Sequence, residues 1–83
     1  MIGNLQHAKE RRGFDDRLRT MAHDMEVCSR RRLQEILTEA DREYPKAEAL
    51  SRIGVFTTAD VEVIKGKIAE LKAQGEKMLA ELG

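Results

Sequence analysis

The chain has 83 residues and a single cysteine, so it forms at most one small domain and cannot contain an intrachain disulfide bond. Its 15 basic and 15 acidic residues give a formal net charge of zero, which excludes a bulk electrostatic attraction to nucleic acid or to a membrane surface. No apolar run approaches the roughly 20 residues of a membrane-spanning helix, and the charged start MIGNLQHAKERR is unlike a secretion signal, so we expect a cytoplasmic protein that does not bind membranes.

Residues 1–13 come before the first strong helical pattern. They contain few apolar side chains and end at Gly13, a residue that disfavours a helix interior. We interpret them as an N-terminal arm that is flexible or becomes ordered only on a partner, and residues 14–83 as the helical domain.

The segment from Phe14 to Tyr44 contains neither glycine nor proline and is rich in helix-forming residues. Its apolar residues recur at a spacing of eleven in two rows, Phe14, Met25 and Ile36, and Ala22, Leu33 and Tyr44. This spacing keeps an apolar stripe nearly straight along a helix. The pattern predicts one uninterrupted helix over residues 14–44, which ends before Pro45 because the residue preceding a proline is disfavoured in helical conformation.

A short linking helix, KAEALSRI, is expected after Pro45, closed by Gly54 in a left-handed cap. A second long helix follows, and Thr57 and Asp60 have the spacing of a capping box at its start. Its apolar positions then keep the a/d heptad spacing of a coiled-coil seam: Val61, Ile64, Ile68, Leu71, Gly75, Met78 and Leu82.

These elements predict an all-α fold, a helical hairpin of two long helices joined by a short helix. Two helices alone would leave part of each apolar stripe uncovered, so we expect a homo-oligomer, most simply a homodimer that resembles a four-helix bundle. The residues expected at the interface with a second copy or another partner lie on or between the stripes: Leu18, Met25, Ser29, Arg32, Ile36, Ile64, Ile68, Leu71, Gly75 and Met78.

A polar waist, formed by Ser29, Arg32 and Glu35, interrupts the stripe of the first long helix. One interpretation is that these groups fix the register of the oligomer, as polar residues in helical seams do. An equally acceptable one is that they lie at a solvated rim. A further hypothesis is that the oligomer binds a small anionic ligand through Arg32.

Seven of the nine arginines lie in residues 1–33. In an oligomer, Arg11, Arg12, Arg30 and Arg31 would be the candidates for contact with nucleic acid. Against this, acidic residues are interleaved with them, no aromatic side chain is placed to stack on a base, and no known nucleic-acid-binding motif is present. Consecutive arginines on a helix also point about 100° apart, so they do not form one patch.

The sequence contains no catalytic, metal-binding or cofactor-binding motif. We therefore predict a protein without enzymatic activity and without a cofactor. The leading hypothesis is a helical adaptor, inhibitor or regulator that docks onto a larger protein, of the kind found among phage and plasmid accessory factors. A nucleic-acid-associated oligomer is the first alternative, and an oligomer that binds a small anion at the polar waist is the second.

Overall fold

The computed structural model describes the backbone of residues 2–26 and 29–82, and the side chains from residue 5 onward within these ranges. Three helices make up this part of the chain: α1 (Ile2–Glu26), α2 (Arg30–Arg52) and α3 (Thr58–Leu82). The prediction of an all-α fold is confirmed. Within the described ranges, no helix combines the length and the apolar character that a membrane crossing requires.

Ion pairs between the helices show how they run relative to one another: Arg17–Glu43 and Asp24–Arg32, His7–Asp60 and Asp15–Lys67. The first two pairs place α1 antiparallel to α2, and the last two place α1 parallel to α3. Since α2 and α3 are consecutive and antiparallel, the chain runs up, down and up again.

One apolar core lies among the three helices. Its buried members are Phe14, Leu18 and Met25 from α1, Leu33, Ile36, Ala40 and Ala47 from α2, Phe56 from the α2–α3 turn, and Val61, Ile64, Ile68 and Leu71 from α3. Each apolar stripe is thus covered by the other two helices of the same chain. We expected a homo-oligomer because two helices alone would leave part of each apolar stripe uncovered. That reason does not apply to these residues, and the oligomeric state stays a prediction.

The chain reverses between α1 and α2, where the sequence predicts an uninterrupted helix. α2 starts after Ser29, whose backbone is extended (φ −76°, ψ 167°) and whose Oγ accepts a hydrogen bond from the backbone N–H of Arg32 at 3.3 Å. The prediction of one helix over residues 14–44 is therefore wrong. Because the chain folds back, α1 covers the core face of α2. This packing stabilises the fold through residues that are far apart in the sequence, and local helix propensity does not reflect it. Val27 and Cys28 lie outside the described residues.

α1 begins at Ile2 and continues through Gly13, so the predicted helix start at Phe14 is also wrong. The first half of α1 is held by polar contacts, since His7 and Arg11 both bind the carboxylate of Asp60 on α3. An apolar pattern cannot reveal such an anchor. The helix thus passes through Gly13 without a break, and the boundary between an arm and a domain at this residue stays a prediction.

Pro45 lies inside α2 and does not end it. The proline is exposed, whereas Ala47 beyond it is fully buried and Leu50 packs against the core. Burial of this last stretch outweighs the hydrogen bond that a proline removes from a helix interior. The expected linking helix is therefore the final part of α2.

The left-handed cap at Gly54 is confirmed, because this glycine has φ 83°. The backbone N–H of Val55 donates to the carbonyl of Leu50 at 2.9 Å, and that of Gly54 donates to Ser51 at 3.2 Å. These two bonds form a Schellman motif, which ends α2 and turns the chain toward α3.

The start of α3 also agrees with the prediction. The backbone N–H of Thr57 donates to Asp60 Oδ2 at 2.9 Å, and that of Asp60 donates to Thr57 Oγ1 at 3.2 Å, which is a reciprocal capping box. The heptad positions from Val61 to Gly75 are buried, Met78 is half-buried and Leu82 is exposed. The seam thus faces the core over most of α3 and loses its cover at the end.

Candidate functional site

A groove lies between α1 and the second half of α2. We call it the α1–α2 groove; its lining is formed by Glu10, Phe14, Arg17, Lys46, Ala49, Leu50 and Ile53. Phe14 is buried at its base, and Leu50 is half-buried on its wall. Ile53, the residue before the Gly54 cap, exposes 69% of its surface at the end of the groove. An apolar strip bordered by charges is therefore open to solvent here.

The depression continues along the α1–α2 pair toward the turn that joins the two helices. Arg17 and Met21 line the next part together with Glu39 and Arg42, and the part after that extends to Arg32. Arg17 borders all three parts, so it lies at the centre of an elongated surface.

A buried carboxylate holds the central cations in place. Glu43 is only 1% exposed; Arg17 Nε donates a hydrogen bond to its Oε1, and Lys46 Nζ lies 3.0 Å from its Oε2. Burial on its own would raise the pKa of the Glu43 carboxyl, but the hydrogen bonds and positive charges of Arg17 and Lys46 outweigh burial and lower it. Arg17 also lies over the ring of Phe14, 4.5 Å from its centroid. These contacts orient Arg17 beside the apolar strip.

Arg42 differs from the other cations of this surface. Its side chain is exposed on α2, and no carboxylate among the described residues lies within ion-pair distance of it. Arg42 therefore places beside the groove a positive charge that no carboxylate of the described residues pairs with.

A second carboxylate, Asp60, is bonded at the opposite side of the core, between α1 and α3. Its oxygens accept from the backbone N–H and hydroxyl of Thr57 at 2.9 and 3.0 Å, and from Arg11 Nη1 at 2.7 Å, while His7 Nε2 lies 2.9 Å away. The backbone hydrogen bond from Thr57 is the largest cause that holds the pKa of the Asp60 carboxyl well below its usual range; burial opposes it, and His7 and Arg11 add to it. Asp60 joins a helix cap to the anchor of α1, which is a structural role.

The polar waist predicted from the sequence is satisfied within one chain. Arg32 lies 3.1 Å from Glu39, 3.4 Å from Glu35 and 3.6 Å from Asp24, and the pKa of its guanidinium is raised, chiefly by the hydrogen bond to Glu39. Ser29 is the exposed cap of α2. Three carboxylates around one guanidinium leave an excess of negative charge, which does not favour an anionic ligand at this place.

Most of the predicted interface residues belong to the core of the single chain. Those that are buried there are Leu18, Met25, Ile36, Ile64, Ile68, Leu71 and Gly75. Met78 packs half-buried against the same core. These side chains do not form a free surface in this structure.

The groove residues on α2, above all Lys46, Leu50 and Ile53, were not predicted from the sequence. Their position depends on α2 continuing past Pro45, and the sequence pattern was interpreted as a helix end at that proline. The one signal that could have revealed them is the spacing of Ala40, Ala47 and Leu50, which keeps the α2 stripe in phase through the proline.

The four arginines proposed for nucleic-acid contact do not come together. Arg11 is bonded to Asp60, and Arg12 is exposed beside it on α1. Arg30 and Arg31 lie at the start of α2, roughly 20 Å away along the helix axis at 1.5 Å per residue. The two pairs of arginines therefore do not form one compact basic patch.

No family model, curated protein or solved structure matches the chain. Among the described residues, no three histidine, cysteine, aspartate or glutamate side chains gather closely enough to hold a metal ion.

Proposed function

We propose that this chain is a small cytoplasmic protein-interaction module, an adaptor, inhibitor or regulator without enzymatic activity, that docks onto a larger protein through the α1–α2 groove. The observation that carries the proposal is the exposure of Ile53, 69%, next to half-buried Leu50 and the buried ring of Phe14. An exposed apolar strip with a charged border is the usual composition of a small docking site.

The charges around the groove indicate what kind of segment would fit it. Lys46 is largely exposed, Arg17 is held beside the strip by Glu43, and Arg42 has no carboxylate partner among the described residues. An amphipathic helix could place its apolar face over Leu50 and Ile53 and its acidic side chains near these cations. Such complementarity would increase the association rate and the selectivity of the complex.

The two most strongly bonded carboxylates have structural partners, which supports a role in binding rather than catalysis. Glu43 fixes the groove cations and Asp60 joins the α3 cap to α1. Neither carboxylate is free to transfer a proton to a bound substrate, the task for which enzymes commonly use carboxylates of shifted pKa.

A photocrosslinking amino acid placed at Ile53 in cells of the source organism tests the proposal. We expect one dominant covalent adduct with a defined protein, which is lost when exposed Arg42, which no carboxylate of the described residues pairs with, is also changed to glutamate. The control is the same crosslinker at Val63, an exposed apolar residue on α3 outside the groove. Equal adducts at both positions, or none at Ile53, would contradict docking through this groove.

No specific observation favours the alternatives of nucleic-acid binding by Arg11, Arg12, Arg30 and Arg31 or anion binding by Arg32, and both stay predictions. Binding to DNA or RNA that weakens steeply with salt and is lost on charge reversal of Arg30 and Arg31 would favour the first. Thermal stabilisation by nucleotides that is lost in Arg32→Ala would favour the second.

A further inference from the structure

The two helix ends that meet at the α1–α2 turn carry unfavourable charges. The last turn of α1 contains Asp24 and Glu26 beside His23, so its carboxylates outnumber its one basic side chain, whereas α2 begins with Arg30, Arg31 and Arg32 and has no acidic residue in its first turn. A helix dipole favours cations at the C-terminus and anions at the N-terminus, the reverse of this arrangement. The ion pair between Arg32 and Asp24, 3.6 Å long and half-exposed, offsets only part of the mismatch.

The same residues are well suited to a single helix. Glu26 and Arg30 are four positions apart with the acid first, the favourable order for an ion pair within a helix. The two eleven-residue apolar rows continue across positions 27–29, and no glycine or proline occurs from Phe14 to Tyr44. In a continuous helix both mismatched ends would disappear.

α2 and α3 form a hairpin that does not depend on α1 for its connection. The Schellman motif at Gly54 and the capping box of Thr57 and Asp60 close the turn between them with local hydrogen bonds. Among the described residues, α1 is attached by three buried apolar side chains and by ion pairs such as Asp15–Lys67, 2.6 Å long. None of these attachments requires that α1 and the hairpin belong to the same copy of the chain.

We propose that two copies of this chain exchange α1, so that α1 of each copy packs on the α2–α3 hairpin of the other. The exchanged dimer keeps the contacts of α1 and removes the mismatched helix ends of both chains, which makes it a low-cost route to association. Two continuous helices and two copies of α3 then form a four-helix assembly. The inference does not rest on the proposed docking function, because the α1–α2 groove is rebuilt between α1 of one copy and α2 of the other.

Charge reversal in two mixed variants tests the exchange. In Asp15→Lys alone, and in Lys67→Glu alone, like charges face each other between α1 and α3. When the two variants are unfolded together and refolded, a mixed exchanged dimer pairs opposite charges at both contacts. We expect native mass spectrometry to show mixed dimers well above the half that random assortment gives.

The matched control is Asp41→Lys mixed with Lys72→Glu. This pair, 2.7 Å long in the native chain, joins α2 to α3 and stays within one copy after exchange. These variants should assort at random. Random assortment in both mixtures would overturn the proposal, as would a wild-type chain whose mass by light scattering is that of a monomer throughout its soluble range.

The variant Arg30→Pro distinguishes the loss of the exchanged dimer from a loss of folding. Residue 30 is the first of α2 and follows an extended Ser29, a position at which proline is readily accommodated. In a continuous helix the same proline lies in the interior and costs about 3 kcal/mol, so the dissociation constant of the dimer should rise at least ~100-fold. A folded monomer with native helical content is the expected result; a dimer of unchanged affinity would overturn the proposal.

Discussion

Leu37 packs against Gly75 so closely that a β-carbon at position 75 would lie 2.6 Å from Leu37 Cδ2. Met25 closes the same contact, with its Sδ 3.2 Å from that β-carbon position. The glycine in the α3 seam therefore marks a place where side chains of α1 and α2 both lie against the backbone of α3.

Substitutions at Gly75 and Gly66 should have opposite effects on the free energy of unfolding. Gly66 is also inside α3, and a β-carbon there would meet nothing within 4 Å, so Gly66→Ala should stabilise the protein by about 0.5–1 kcal/mol through helix propensity. Gly75→Val should destabilise it by about 1–3 kcal/mol, because Leu37 and Met25 must move. Urea denaturation of both variants measures the difference. If Gly75→Val raised the free energy of unfolding instead, Leu37 and Met25 would be able to move without a loss of stability.

Replacement of Pro45 should stabilise the protein. The proline lies in the interior of α2, where its nitrogen cannot donate to the carbonyl of Asp41, and its side chain is exposed. Pro45→Ala should raise the free energy of unfolding by about 2 kcal/mol. Removing the helix penalty of proline contributes roughly 3 kcal/mol, and the larger conformational entropy of the unfolded chain without proline offsets part of this gain. Alanine at neighbouring exposed Lys46 is not a suitable control because Lys46 contacts Glu43, so Arg42→Ala serves instead. An unchanged urea midpoint in Pro45→Ala would mean that the proline in α2 does not lower the stability of the protein.

The parts of the fold that the sequence predicted are those with local signals. The capping box of Thr57 and Asp60 and the cap at Gly54 each lie within a few residues, the heptad spacing lies within the single helix α3, and each is present in the structure. The chain reversal before α2 has only one weak local signal, the N-cap Ser29, since the residues on both sides favour a helix and packing between distant segments decides in favour of the reversal. This is also why a prediction of one long helix was reasonable and wrong.

The candidate site could be predicted even less well. His7 and Arg11 depend on Asp60, about fifty residues away in the chain, and Arg17 depends on Glu43 on another helix. A carboxylate in an apolar stripe is visible in the sequence, but its partner is not. The exposure of Ile53 follows only once the path of the chain past Pro45 is known.

Two variants should separate the two roles of Asp60. Thr57→Ala removes the hydroxyl that caps α3 and should cost about 1 kcal/mol of stability. Asp60→Ala removes the cap and also the contacts to His7 and Arg11, so it should cost more and should release the first half of α1. Amide hydrogen exchange measures this directly: residues 5–12 should lose protection in Asp60→Ala and keep it in Thr57→Ala. Equal loss in both variants would show that α1 is held by its apolar residues alone.

Acid should destabilise the fold through Glu43 and Asp60. Both carboxyls have a pKa below the ordinary value, Glu43 because Arg17 and Lys46 outweigh the effect of burial, and Asp60 because of hydrogen bonds led by that of Thr57. The unfolded chain therefore binds more protons than the folded chain at acid pH, and stability rises with pH. The contribution is complete above the unfolded pKa of roughly 4 and is lost as the pH falls through the folded values.

The free energy of unfolding, obtained from urea denaturation between about pH 7 and about pH 2, should follow this sign, with a slope approaching about 1.4 kcal/mol per pH unit for each proton by which the two states differ. Glu43→Gln should lower stability at neutral pH and flatten the profile, because its amide cannot bind a proton and no longer pairs with Arg17 as an anion. Glu62→Gln is the matched control, a glutamate that is exposed on α3 and forms no ion pair among the described residues, and it should leave the slope unchanged. If Glu43→Gln had the same slope as the wild type, the pKa of the Glu43 carboxyl would be the same in the folded and the unfolded protein, and its contacts with Arg17 and Lys46 would not stabilise its ionised form.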